Sequence, residues 1–518
     1  MIFRSMTYLG VALCTFTGAS AILPALFFFA GVPVAPFQLV LAGLTSIAVC
    51  SIGLWHEPNV RFLPTLGGLS LTLLFTIFLA VLLAGAFFDV SWDGPAYHQD
   101  AVISLANGWN PLSKEDASLW VNHYAKAPWH SGALLYQATG RIQTAKAHQL
   151  LLIFAAFLLA ASALRRAGVS PAWSLTWGGL AALNPVAICQ SLSFYVDGML
   201  ASCLTLFLAL LCLIYFEPRR WMLVPMALLV CFTINLKFTA LVYIVMFSTA
   251  SLGFFHWNKS SQLRSVAASL ALAIVVGVLA VGYNPYVKNF VDKGHPFYPL
   301  MGPSKVDIMT TNSPPDFSHR NRIQKLFFSL FSASSNSLSE FPVPKIPFSI
   351  LSTEHYPFTT TDTRIGGFGP WFGGALLLSL LLIRRSALLL FVAGCLLVSV
   401  FANPEAWWAR YAPQLWLLPI FLGAAGAQKK RAALLAAALS VNVVFITNEY
   451  LRHNIGATTH VLEQLDSLAG SEILVQFNGF EADAIRLKEH RVSFREVKEL
   501  FCAIPTPLVG SSGTKFCP

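Results

Sequence analysis

The chain has 518 residues, 56% of them hydrophobic and only 11% charged, with a net charge of +10. A soluble fold of this length cannot hide that much apolar surface, so a water-soluble globular protein is excluded. The positive charge falls in short runs between apolar segments, which makes it a membrane-topology signal and no footprint for nucleic acid.

Apolar runs near the roughly 20 residues needed to cross a bilayer predict an all-α polytopic membrane protein. In chain order the expected spans are 6–31, 37–54, 65–88, 148–164, 172–189, 198–216, 221–236, 238–255, 265–283, 366–383, 386–402, 412–427 and 432–448, or about 13 helices. The first is flanked by Arg4 alone and is read as a retained span. With every span real, Arg61, Arg165–Arg166, Arg219–Arg220, Lys259 with Arg264, Arg384–Arg385 and Lys429–Lys430–Arg431 share one side. The positive-inside rule assigns that side to the cytoplasm. The long links 89–147 and 284–365 and the tail 449–518 then face outward. The expected domains are a membrane domain, 1–448, and a small extracytoplasmic α/β domain, 449–518.

The first outward link opens on FDVSWDGPAYHQD (88–100), which sets Asp89, Asp93, Asp100 and His98 just past an apolar helix. Carboxylates at that boundary are costly unless solvated, paired or used, so the cluster is a candidate site. The competing reading is a solvated acidic loop. Residues 101–147 interleave Trp109, Trp120, Tyr124, Trp129 and Tyr136 with polar residues, which predicts amphipathic helices along the outer membrane surface. The link 284–365, rich in Pro, Ser and Thr, predicts short helices and irregular segments. The glycines of 366–374 open a span and follow no strand, so they predict close packing or room for a lipid tail, and no nucleotide loop.

In the tail, SEILVQFNGF reads as a strand, EADAIRLKEH as a helix with its charges exposed, and RVSFREV as a second strand. A unit of this size is expected to lean on the membrane domain. Seven cysteines lie in or beside spans, where they act as small apolar residues. Cys502 and Cys517 lie in the outward tail, where disulfides persist, and are expected to pair.

Several of these segments together resemble the GT-C superfamily of membrane glycosyltransferases. WDGPAYH (92–98) resembles the WD-x-x-x-YH form of bacterial members. NHYAKAPW (122–129) resembles the Tyr-Pro-Lys motif that comes next in them, with Ala125 in place of the proline. NPVAICQSLSFYVDG (184–198), INLKFT (234–239) and ARYAPQLWLLP (409–419) also have counterparts. The resemblance covers roughly residues 85–420 and leaves out the first two spans and the tail.

It implies transfer of a sugar from a polyprenyl-phosphate donor to a glycan, lipid or protein acceptor, at the outer face of a bacterial inner membrane. Such transfer needs a base near the acceptor hydroxyl. Asp93 is the first choice, and Asp89 is the alternative base or a helix cap. Tyr97, His98, Asp100 and Lys126 are expected to hold acceptor or orient the base. Asp197 has two readings, an acceptor or metal ligand and an N-cap of the next span. Lys237, Arg410 and Arg364 are the expected donor-phosphate cations: Lys237 because it interrupts an apolar stretch, where its other reading is snorkelling to the headgroups, and the two arginines because they sit on the wrong side for a topology signal. No cofactor is implied with certainty. A divalent metal, Mg or Mn, is left unassigned. His123, His130, His148 and His355 read as interface or surface residues. Two rival classes are a polymerase or ligase acting on lipid-linked glycans, which relies on outer-loop Arg and His, and a non-enzymatic transporter, which sets polar residues mid-span.

Overall fold

The computed structural model describes residues 2–58, 60–383, 387–426 and 429–517. Arg384–Arg385 and the side chain of Lys429, which belong to the orientation signal, lie outside the described residues.

Among the described residues, eight helices are long and apolar enough to cross a membrane: Ile2–Phe28, Pro36–Trp55, Phe62–Gly85, Ile142–Arg166, Asp197–Phe216, Phe238–Trp257, Leu263–Val281 and Lys430–Leu468. The other five expected spans are shorter helices, Pro171–Ala182, Arg220–Ile234, Phe372–Leu380, Leu389–Phe401 and Pro413–Ala425. The reasons are local. The run 172–189 breaks at Leu183–Asn184, where the Asn184 side chain accepts the Val186 N–H at 3.0 Å and Pro185 starts a new helix. The run 366–383 begins with a turn, because Gly366 and Gly369 have φ of +65° and +106°. A Cβ on Gly369 would collide with Asn442, which accepts the Trp371 N–H and donates to the Phe368 carbonyl. Gly373 and Gly374 allow close approach of the Leu330 carbonyl and the Phe348 ring, as close packing requires.

The first helix is the centre of the bundle, with 83% of its apolar window buried, whereas Phe62–Gly85 has 11%. The latter's Leu71, Leu74, Phe75 and Phe78 are left to a bilayer. At one end of the bundle Glu57 binds Arg4 and Arg219, and Glu217 binds Arg166 at 2.6 Å. Basic residues from the N-terminus and two links thus meet at one end of the bundle.

The aromatic segment 101–147 packs into the protein. Its helices Gln99–Ala106 and Ala127–Thr139 fold inward and bury Trp109 and Trp129 in a second apolar core with Phe28 and Phe194. His130 binds the Ala21 carbonyl at 3.0 Å, and His123 binds Asn289 at 2.7 Å. His123, His130 and His148 are therefore interior packing residues, and His355 pairs with Glu449 at 3.1 Å on the surface. The link 284–365 is irregular, with one helix of note, Arg322–Phe331.

The last helix runs unbroken from Lys429 to Leu468, 40 residues, so residues 449–468 extend a membrane helix and the separate fold starts after them. That fold is a four-stranded sheet of order β2-β1-β4-β3. Strand β1 (Glu472–Gln476) pairs in parallel with β2 (Ser493–Glu496) and antiparallel with β4 (Lys515–Cys517), which also pairs with β3 (Thr506–Pro507). The Cys502–Cys517 disulfide ties the loop before β3 to β4. The helix Asp483–Glu489 lies between β1 and β2 as expected, but two of its charges are not exposed. Asp483 and Arg486 are both 1% exposed. Arg486 faces the membrane domain, stacking on Phe88 and donating to the Val509 carbonyl at 3.1 Å. Phe88 belongs to the tail's own apolar core, and Glu489 accepts the Ile142 N–H at 2.7 Å. The tail therefore docks on the start of the link 89–147.

Candidate functional site

A cavity of about 690 Å³ opens where the link 89–147, the break before Asp197–Phe216, the loop before Phe238–Trp257 and segment 362–411 converge. Trp92, Tyr97, Trp120, Tyr124, Tyr195, Trp408 and Tyr411 form its aromatic walls. Its polar floor is organised by Arg410. The Arg410 guanidinium donates from Nε to Asp197 at 2.7 Å and from Nη1 to Asp362 at 2.7 Å, and its Nη2 stands 3.8 Å from Asp93. Its plane also covers Tyr195, at 4.8 Å from the ring centre. Arginine suits this position because its rigid fork reaches several oxygens at once.

Asp197 is fully buried and accepts from Lys237 Nζ at 2.6 Å as well as from Arg410. It makes no N-cap bond, so the capping alternative fails. Gln190 steadies it at 3.3 Å and also holds the Gly198 N–H at 2.7 Å. Two cations already take the oxygens of Asp197, and Arg410 takes one of Asp362. Among the described residues no group of three His, Cys, Asp or Glu side chains is arranged to hold a metal. The cluster fits cation pairing and does not fit a divalent ion.

Asp93 differs from its neighbours. Arg410 is farther from it, and its side chain keeps 24% of its surface open to the cavity. Enclosure raises its carboxyl above the usual range, Arg410 draws it back, and Asp362 and Asp197 push it up again. It lies one turn from Tyr97 and His98, on a wide helical turn, Gly94–His98. Gly94 is needed there because a Cβ would strike the Asp89 carboxylate. Trp129 Nε1 donates to His98 Nδ1 at 2.7 Å, which leaves the ring proton on Nε2. Burial pushes His98 down to about 3, so it is neutral at physiological pH. Tyr97 packs on that ring at 4.3 Å.

Four predicted residues do not line this cavity: Asp197 is buried behind Arg410 and Lys237, and three others are engaged elsewhere. Asp89 is 1% exposed and accepts the Ser91 and Phe194 N–H groups at 2.9 and 2.8 Å. It stitches the link 89–147 to the 193–195 loop and borders a second cavity. Lys126 is turned away, giving its three donor positions to Asn122 O at 2.9 Å, Tyr124 O at 2.8 Å and Asn284 Oδ1 at 2.5 Å. It packs between Trp109 and Trp129. Asp100 faces the tail, where burial and then Glu481, Asp116 and Asp483 raise it to about 7. Arg364 does line the cavity, bonded to Asn312 at 2.9 Å and lying on Trp408.

Sequence reasoning missed Asp362, Tyr195, Trp408 and Tyr411. Asp362 sits in TTTDTR (359–364), two residues before a flagged arginine. In a chain with so few acids, that pairing was the available signal.

No protein-family model matches the chain, and no curated protein matches it.

Chemically, the site offers one enclosed carboxylate with free surface, a fixed cationic centre, and aromatic faces. Such a set has the chemistry to pair with an anion, to pack on a ring face and to accept a proton.

Proposed function

We propose that the chain is a membrane glycosyltransferase of the GT-C type, moving a sugar from a polyprenyl-phosphate donor to an acceptor hydroxyl. The observation that carries this reading is the Arg410 centre. One arginine is held by two carboxylates on a wall shared with Lys237, and a third carboxylate, Asp93, remains open to the same cavity. In the reaction, the acceptor oxygen attacks the anomeric carbon and the bond from that carbon to the phosphate oxygen breaks. The acceptor proton passes to Asp93, and the departing phosphate is met by Arg410, Lys237 and Arg364. The phosphate competes with Asp362 for the guanidinium, since Asp197 already fixes its Nε edge. Neutral His98 and Tyr97 border the sugar. The aromatic walls suit the C–H faces of a sugar ring and exclude water.

The same reading sets the chain in a bacterial inner membrane with about 13 membrane-crossing or membrane-embedded segments, some too short to cross unaided. The cavity then opens outward and the donor's lipid tail rests in the bilayer. Against a polymerase or ligase that works through Arg and His alone stands the carboxylate cluster at the cavity. Against a transporter stands the gathering of ionisable groups at helix ends.

The test is direct. Protein in lipid nanodiscs, given a radiolabelled polyprenyl-phosphate sugar and membranes as acceptor source, moves label to a new product. Arg410→Ala abolishes the movement. Failure of the wild-type protein to bind polyprenyl phosphate at all would sink the reading.

A further inference from the structure

A second cavity, of about 300 Å³, lies beside the first. The two share a wall made of Trp92, Tyr195, Asp362 and Arg364. Its volume is at the small end of ligand cavities, about 300–1,000 Å³. Its lining is unlike that of a lipid site. Ser91, Ser193, Asn336, Thr361, His453 and Asn454 supply hydroxyl, amide and imidazole groups, Tyr356 and Tyr450 supply rings, and Val90 is the one aliphatic side chain. Two groups in the shared wall are buried without a partner among the described residues, Asp362 Oδ1 and Arg364 Nε. A buried acceptor and a buried donor without partners are costly unless a ligand satisfies them. The other oxygen of Asp362 accepts from Arg410 at 2.7 Å, so Oδ1 is the one without a partner.

We infer that the second cavity is the acceptor subsite and that the acceptor is a carbohydrate. This rests on the glycosyltransferase reading. A sugar hydroxyl donates to Asp362 Oδ1 and accepts from Arg364 Nε, and the adjoining hydroxyl passes Trp92 to reach Asp93 in the first cavity. Dense hydrogen-bonding groups with aromatic rings match sugar hydroxyls and ring faces, and the further carboxylate in the lining, Asp89, already accepts the Ser91 and Phe194 N–H groups. A lipid chain finds no aliphatic lining here. A peptide would need an open groove for its backbone, and the wall of this cavity is closed on one side by the last long helix through Tyr450, His453 and Asn454.

Two variants narrow this cavity without touching a residue of the first, His453→Trp on the exposed rim and Thr361→Phe on the inner wall. Full-length protein in nanodiscs is titrated with polyprenyl phosphate, and transfer is measured into membranes from cells lacking this chain. Both variants are expected to bind polyprenyl phosphate within about twofold of wild type and to lose transfer at least tenfold, with a raised KM for acceptor. The labelled product carries the new sugar on a sugar hydroxyl, read by linkage analysis. Wild-type transfer rates in both variants, or a product with the sugar on a protein side chain or a lipid lacking sugar, would overturn the inference and leave the donor reading standing. A wild-type protein that neither binds polyprenyl phosphate nor labels a product overturns both.

Discussion

Arg410 and Asp197 are 213 residues apart in sequence and 2.7 Å apart in the fold. Neither is at home alone, since a buried charge without its partner is expensive. Together with Lys237 they bind three membrane segments into one wall. Function and fold therefore share an element, and substitutions chosen by distance from Arg410 can separate the two.

Asp93→Asn removes the proton acceptor and keeps the shape. Transfer should fall by about 10²–10⁴-fold, the usual contribution of a general base. The thermal midpoint should hardly move, because Arg410 keeps its two closer carboxylates. The wild-type rate should also fall as pH drops through the raised pKa of Asp93, so the acid limb lies above that of an ordinary carboxylate. A near-native rate in the Asn variant would return the role to another carboxylate, with Asp362 next in line.

Arg410→Ala should act on both properties. Asp197 would keep Lys237, but Asp362 would lose its cation. Breaking a buried pair costs about 3–5 kcal/mol, visible as a lower thermal midpoint. Arg410→Lys restores the charge without the fork and should recover stability more than activity. Equal recovery of both would show that geometry at Arg410 is unimportant.

Asp100 gives the tail a pH dependence. Its folded-state value of about 7 lies above its ordinary value of 3.8. The protonated form is therefore favoured by folding, and the stability this confers is present at low pH and lost as pH rises from about 4 to about 7. The facing groups are Asp116, Glu481 and Asp483, all acidic. Asp100→Asn should flatten this dependence, read as protection of residues 480–490 from hydrogen exchange at pH 5 and pH 8. An unchanged profile would show that Asp100 does not couple to the tail.

The disulfide closes a separation of 15 residues, and a loop of that size contributes about 3 kcal/mol in the chain-entropy account. Cys502→Ser should loosen the strands β3 and β4 and leave the membrane helices intact, as limited proteolysis would report. Thiol labelling of intact cells should modify the tail only after reduction. Labelling only after the membrane is opened would reverse the orientation.

Lys126→Met should lower stability and leave polyprenyl-phosphate affinity unchanged, because its ammonium is spent on Asn122, Tyr124 and Asn284. A loss of affinity at intact stability would restore it to the binding machinery.

The long apolar helices were legible because length and hydropathy decide them. The shorter ones were misjudged where Asn184–Pro185 and the glycines 366 and 369 interrupt an apolar run without making it polar. Asp93, Asp197, Lys237 and Arg410 were legible as charges in the wrong solvent. Lys126 and Asp100 carried the same signal for another reason, burial against backbone carbonyls and against the tail. Rarity of charge marks a place that matters, but only the fold tells which neighbour makes it matter. Asp362 was hidden because nothing in TTTDTR predicts its meeting with Arg410, 48 residues later. Trp109 and Trp129 misled because an aromatic suited to a headgroup zone is equally suited to an interior.

The last long helix is 40 residues, which at 1.5 Å per residue is about 60 Å, twice the roughly 30 Å of hydrocarbon in a bilayer. Its middle carries Tyr450, His453 and Asn454 on the second cavity, and its end carries Val461 and Leu465 in the core of the tail. One stiff rod thus serves as a cavity wall at one level and as a foundation post at another. A force or partner that tilts the tail must move the wall with it, and a mutation far outside the membrane can change what the cavity admits.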